Sequence, residues 1–197
     1  MGNDPVNGID PTGEECVNAN DGTTTCKTDD YNVTFDTPEG FPGTDESKGD
    51  FHYYTETARS EYDAETTRDW VRANPTPGKP DPATPEGTLN DATPIFGGTS
   101  PVNISPVTSY VTTNQVTGNE VVVKCKPCQT HGLAPGIVVR EVVSTGDSSS
   151  MIVNYGEGNG FCNMKNSPVA DAINGVWRGQ APPYMSPRLP GAPNWPR

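Results

Sequence analysis

The sequence predicts an α+β fold in which a small antiparallel sheet, one main helix and long irregular loops share a modest core. Three observations predict it. Runs rich in β-branched residues recur between residues 107 and 155, separated by turn-forming residues, as strands of one sheet do. One stretch, YYTETARSEYDAETTRDWVRAN, carries the four-residue spacing of a helix. The 21 glycines and 21 prolines among 197 residues leave much of the remainder to turns and loops.

The elements follow in order. Tyr31 to Phe35 alternate and predict a short strand inside an otherwise polar, turn-rich segment. The main helix is expected near 55–73. Tyr54, Ala58, Tyr62, Thr66 and Trp70 follow one another at spacing four, with Glu61, Glu65 and Asp69 on a neighbouring line. Arg68 and Arg72 fall toward its C-terminal end, as the helix dipole favours, and Pro75 and Pro77 stop it. Residues 75–106 form a proline-rich traverse, too long for an ordinary connection. It is either a linker or a segment that wraps the core through Ile95, Phe96, Val102 and Ile104, with Val107 beyond it. Strands are expected near 107–113, 120–124, 136–144 and 150–155, the last two joined by a turn at Gly146-Asp147 and the serines after it. In GIVVREVVS neither alternating set is purely polar, so one face of that strand is expected to be partly covered. A short helix near 168–178 starts with Pro168 in its first turn and has an apolar face of Val169, Ile173, Val176 and Trp177. This divides the chain into a leader (1–14), an acidic segment with the helix (15–74), the traverse (75–106), a β-rich core (107–180) and a proline-rich tail (181–197).

The formal net charge is -12, and it is uneven. Residues 1–100 hold 20 acidic and 6 basic side chains; residues 101–197 hold 5 and 7. No basic run exists, and the acidic half repels phosphate backbones, which disfavours nucleic acid as a partner. That half would instead suit a basic protein partner. No apolar run approaches the ~18 residues of a membrane-spanning helix, so no transmembrane segment is expected.

The five cysteines are Cys16, Cys26, Cys125, Cys128 and Cys162. Cys16 and Cys26 flank the polar loop VNANDGTTT and read as a disulfide, which favours an oxidising compartment. The N-terminus, MGNDPVNGID, is polar and has no signal-peptide pattern. A chain suited to oxidising surroundings without an export signal reads as a fragment, or as a cargo that something else delivers.

The segment Asn3-Asp4-Pro5-Val6-Asn7-Gly8-Ile9-Asp10-Pro11-Thr12-Gly13 resembles the end of the RHS-repeat-associated core domain. The family's Asp-Pro-x-Gly matches Asp10, Pro11, Thr12 and Gly13; the family usually has Leu next, where this chain has Glu14. The same residues are also turn formers. The resemblance implies a large secreted shell protein of the type VI secretion kind with a variable C-terminal toxin. Residues from about 14 onward would be that toxin, and Asp10 would belong to the autoproteolytic junction of the full-length protein. It also implies a cognate immunity protein as partner.

Three constellations could carry chemistry. Cys125-x2-Cys128-x2-His131 with Cys162 downstream has the ligand count for Zn²⁺, through three sulfurs and one imidazole. The same cysteines could instead form a disulfide, with Cys125 or Cys128 joined to Cys162, or supply a catalytic thiol. The residues name no other cofactor. Second, His131-Gly132-Leu133-Ala134-Pro135-Gly136 leads straight into a strand and presents an imidazole on a stiff loop, so His131 is the acid/base candidate. It could equally cap the strand. Third, in Asn154-Tyr155-Gly156-Glu157-Gly158-Asn159-Gly160 the glycines allow a tight turn with Glu157 exposed at its tip. If that turn folds back near His131, Glu157 and His131 form a carboxylate–imidazole pair. This arrangement is similar to a pattern in C-terminal toxin domains of shell-type effectors. There a His-x-Leu-x-Pro-Gly loop precedes one strand and a Gly-x-Gly turn follows the next. The matching residues are His131, Leu133, Pro135, Gly136, Gly156, Gly158 and Gly160.

Together these features lead to the expectation of a secreted antibacterial toxin domain, delivered to the periplasm rather than the cytoplasm of the target. Its expected activity is hydrolysis of peptidoglycan or another envelope substrate, with His131 and Glu157 as catalytic residues. The rivals are a cytosolic toxin enzyme, either a metal-dependent nuclease or one modifying NAD or protein, and a non-enzymatic toxin that binds a membrane or a target.

Overall fold

The computed structural model describes residues 15–19, 21–27, 32–37, 52–77, 80–91, 106–115, 120–125, 136–159 and 179–183. Among these residues the fold is α+β, with nine antiparallel strands in two sheets and one helix. The small sheet is a meander of β1 (Glu15–Asn18), β2 (Thr23–Lys27) and β3 (Asn32–Asp36). The large sheet contains β4 (His52–Ser60), β5 (Thr88–Asp91), β6 (Pro106–Thr113), β7 (Glu120–Cys125), β8 (Gly136–Gly146) and β9 (Ser149–Gly158). Its spatial order is β4-β9-β8-β7-β6-β5.

The large sheet is the middle layer. Side chains alternate across it, as the strand pleat requires. On one face Ile137, Val139 and Tyr155 pack with Cys16, Cys26, Val33 and Phe35 of the small sheet. On the other, Val142, Ile152 and Ala58 pack with Val71 and Ala83, and with the partly buried Ala64, Trp70 and Val111. The expectation of one partly covered face therefore understates the burial of β8. Residues 136–142 are buried on both faces, except for a partly buried Val138, because each face has its own covering layer.

The single long helix expected near 55–73 is corrected. Its first half is strand β4, and the helix α1 spans only Ala64–Ala73. The reason lies in the spacing itself. Residues four apart share a face of a strand as well as a face of a helix, since four is a multiple of two. Alternation decides it: Ala58 and Ser60 are buried while Thr57 and Arg59 are exposed. Asp63 then starts the helix by accepting a hydrogen bond from the Thr66 N–H at 2.8 Å, the usual N-cap arrangement. The buried line of α1 is Thr67 and Val71, not Thr66 and Trp70. The expected stop holds: Asn74 caps the last turn through its backbone N–H to Trp70 O at 2.8 Å, just before Pro75.

The expected strands near 107–113, 120–124 and 136–144 are present as β6, β7 and β8, and Tyr31–Phe35 is matched by β3. The strand expected at 150–155 is longer, running on to Gly158. The β8–β9 hairpin turns at Asp147-Ser148. In the described part of the traverse the chain wraps the core. Ala83 is buried, and its N–H donates to Arg72 O at 2.9 Å. The Asn90 side chain imitates a backbone partner, accepting from Asp81 N at 2.7 Å and donating to Asp81 O at 3.1 Å. Ile95, Phe96, Val102 and Ile104, the expected helix near 168–178 and the leader with Asp10 lie outside the described residues.

Candidate functional site

Glu157 is the sequence-predicted site residue whose side chain can be followed. It is not exposed at the tip of a glycine turn. It lies inside β9, is only 3 % exposed, and is in register with Ile137 of β8 and Tyr53 of β4. Gly156 and Gly158 belong to the same strand, because β8 and β4 hold β9 from both sides and their ladder hydrogen bonds outweigh the turn tendency of glycine. The Glu157 carboxylate turns toward the small sheet. Its Oε2 accepts from the Tyr155 hydroxyl at 2.7 Å and from the Cys16 backbone N–H at 2.9 Å. Tyr155 is two residues back on the same strand face, so the pair follows from the pleat. The Cys16 bond ties β1 to the large sheet.

A second buried carboxylate, Glu141 of β8, accepts from Asn114 Nδ2 at 3.0 Å. Asn114 also accepts from Thr34 N at 3.4 Å, so this bond fastens β3 to the end of β6. Glu141 lies four residues along β8 from Ile137, the register partner of Glu157. At the rise of a strand this puts their backbone positions about 14 Å apart, and the two carboxylates have separate partners, Asn114 for Glu141 and Tyr155 with Cys16 for Glu157. Their geometry is that of two separate ties between the sheets.

The disulfide expected from the Cys16/Cys26 spacing is present. The two residues are direct cross-strand partners of β1 and β2, and both are buried against the large sheet.

Cys125 ends β7, in register with Ile137 and Thr108. Cys128, His131 and Cys162 lie outside the described residues. Their nearest described neighbours along the chain nevertheless converge. Cys125 and Gly136 flank the segment bearing Cys128 and His131, and Gly158-Asn159 precede Cys162. Cys125, Gly136 and Gly158 all stand at one end of the large sheet, within one register step of the row Thr108–Cys125–Ile137–Glu157–Tyr53. Among the described residues no cluster of His, Cys, Asp and Glu is placed to hold a metal ion, and no helix is long and apolar enough to cross a membrane.

Sequence reasoning missed Arg140. It is fully buried on the helix side of β8. Its Nε donates to Asn154 Oδ1 at 2.8 Å, Nη1 to Asn74 O at 2.7 Å and Nη2 to Gln180 O at 3.0 Å. The guanidinium also stands 5.9 Å from the Trp70 ring centroid, within cation–π range. One side chain thus joins the sheet, the C-terminal end of α1 and the strap at 179–183. The available signal was a charge set inside a valine run, since charged residues are rarely fully buried without partners.

Compared with known proteins, the chain matches no family model and no curated protein.

Proposed function

We propose that this chain is the toxin domain of a secreted antibacterial effector and acts in the envelope of the target cell. The observation that carries the reading is the buried Cys16–Cys26 disulfide, which suits a protein that works where thiols are oxidised. The RHS-like leader supplies the delivery route, through the shell of the full-length protein, and implies a cognate immunity protein in the producing cell. The reaction proposed is hydrolysis of peptidoglycan or another envelope substrate, with His131 as general acid or base.

The convergence of Cys125, Gly136 and Gly158 at the Glu157 end of the sheet supports placing that chemistry there. The surroundings of Glu157 support a positioning role, holding β1 and Tyr155 in place, rather than contact with substrate.

Expression of the domain in a susceptible bacterium, with and without an export signal, tests the compartment. Killing only when exported is expected; killing only without export would overturn the envelope reading in favour of a cytosolic toxin. In the exported form, His131→Ala is expected to abolish killing while leaving the circular dichroism spectrum unchanged. Full toxicity of that variant removes His131 from the mechanism.

A further inference from the structure

The three-stranded sheet packs on the large sheet through one buried cluster, and the cystine belongs to it. Cys16, Cys26 and Val33 form one register row across β1, β2 and β3. Thr24 and Phe35 are buried in the next row. Behind the cystine stand Ile137, Val139 and Tyr155 of the large sheet. Strand β1 is four residues long and lies at the edge of its sheet. Besides its ladder with β2, it is held by the disulfide and by the Cys16 N–H bond to buried Glu157.

We propose that Cys16–Cys26 is a redox latch: oxidised, it locks β1 against the large sheet, and reduced, it releases β1 and the Glu157 contact while the large sheet and α1 stay folded. Two physical arguments carry this. First, two separate thiols occupy more space than the bonded pair they replace. Cys26 is 0 % and Cys16 6 % exposed, so the site has no slack to accept them. Second, Cys16 and Cys26 are 10 residues apart, and opening so short a covalent loop shifts the local equilibrium toward the released form by about 100-fold. The second core and the helix contacts lie on the opposite face of the large sheet, so they do not depend on the cystine.

The same burial makes the device bistable. In the closed form the disulfide is shielded from reductants; in the open form the Cys16 thiol is exposed for reoxidation. Closure removes two protons and two electrons from the two thiols. They pass to a dithiol oxidase or other exchange disulfide, which is itself reduced to two thiols. For a delivered toxin, which rests on the reading above, the latch keeps β1 open in the reducing cytosol of the producer and closes it in the target's envelope.

The test needs no toxicity assay, so its failure and failure of the toxin reading are separable. Protein kept reduced from expression onward is compared with the oxidised protein, both under native conditions. Iodoacetamide labelling is then followed site by site by mass spectrometry, together with amide hydrogen exchange. On reduction, exchange at residues 15–18 is expected to accelerate by about 100-fold, the loop-closure factor above. Cys16 is expected to alkylate at nearly the rate of an unstructured peptide, and Cys26, still paired with β3, more slowly, while amides of β8 and β9 at 140–153 keep their protection. Unchanged exchange at 15–18 with slow alkylation of Cys16 would overturn the latch, and so would loss of protection throughout β8 and β9. The double variant Cys16→Ala/Cys26→Ala, which cannot reoxidise, is expected to show the released pattern permanently. A double variant with β1 fully protected, or one that does not fold, would also overturn the proposal.

Discussion

Replacing Arg140 should loosen three parts of the molecule at once. Its guanidinium reaches Asn154 on the neighbouring strand, Asn74 at the end of α1 and Gln180 in the C-terminal strap, at 2.8, 2.7 and 3.0 Å. In Arg140→Ala those acceptors lose a charged donor and a cavity opens beneath Trp70. A hydrogen bond to a charged group is worth about 1.5–3 kcal/mol, but the guanidinium's own desolvation, several kcal/mol, is also relieved. The net loss works out at about 4 kcal/mol for Ala, and about 2 kcal/mol for Arg140→Met, which keeps most of the packed stem. For a chain of this size the alanine loss corresponds to a fall in Tm of about 8–16 °C. Urea titration measures the free energy, and hydrogen exchange locates it. Amides of Asn74 and Thr76 and those at 179–181 should lose protection before those of β8 and β9. Arg140→Lys should lie nearer Met than wild type, because an ammonium cannot span three divergent acceptors. An Arg140→Ala protein within 1 kcal/mol of wild type, or one whose strap exchanges as before, would refute this account of Arg140.

Two glycine substitutions separate conformation from packing. Gly87 has φ +92°, and a Cβ there would stand 2.5 Å from Tyr110 Cε1 and 2.9 Å from Thr108 Cγ2. Gly22 has φ +88° with nothing within 4 Å. Gly22→Ala should cost about 1–2 kcal/mol from backbone strain alone, and Gly87→Ala about 2–4 kcal/mol, both read from urea midpoints; equal costs would refute the packing contribution. The N-cap makes α1 acid-sensitive. The Thr66 backbone N–H, then its hydroxyl, hold the Asp63 carboxyl below the usual carboxylate range. With the folded pKa depressed, the stabilisation is full above the unfolded pKa of about 4 and is lost as pH falls through the lower folded value. Asp63→Asn keeps a capping oxygen without the charge, so its thermal stability should depend less on pH between about 5 and 2 than that of wild type. Parallel pH profiles for the two proteins would contradict that role for the Asp63 charge.

Much of the fold was legible because local patterns were unambiguous. The valine runs of β7 and β8 and the turn formers after them each carry a short-range signal; the turn falls at Asp147-Ser148, one residue beyond the expected Gly146-Asp147. Cys16 and Cys26 were legible as a pair because the intervening loop offered two cysteines no other role. Tyr54 to Trp70 fits a helix by spacing alone because four serves both periods; Asp63 as a capping residue, with Glu65 in the first turn after it, marks the break. Glu157 was misplaced for a different reason. Two flanking glycines mark a turn only when the strand has no partners, and β9 has one on each side.

The sequence by itself determined the α+β class, the positions of most strands of the large sheet, the N-terminal disulfide and the uneven charge. These depend on residue types and their spacing over a few positions. Only the tertiary structure decided that β4 pairs with β9 across nearly a hundred residues, that both faces of β8 are covered, and that Arg140, Glu141 and Glu157 are buried ties. Each of these depends on which surfaces meet after the chain closes long loops. The free energy that selects such partners comes from burial and satisfied hydrogen bonds between segments remote in sequence. No local pattern encodes it.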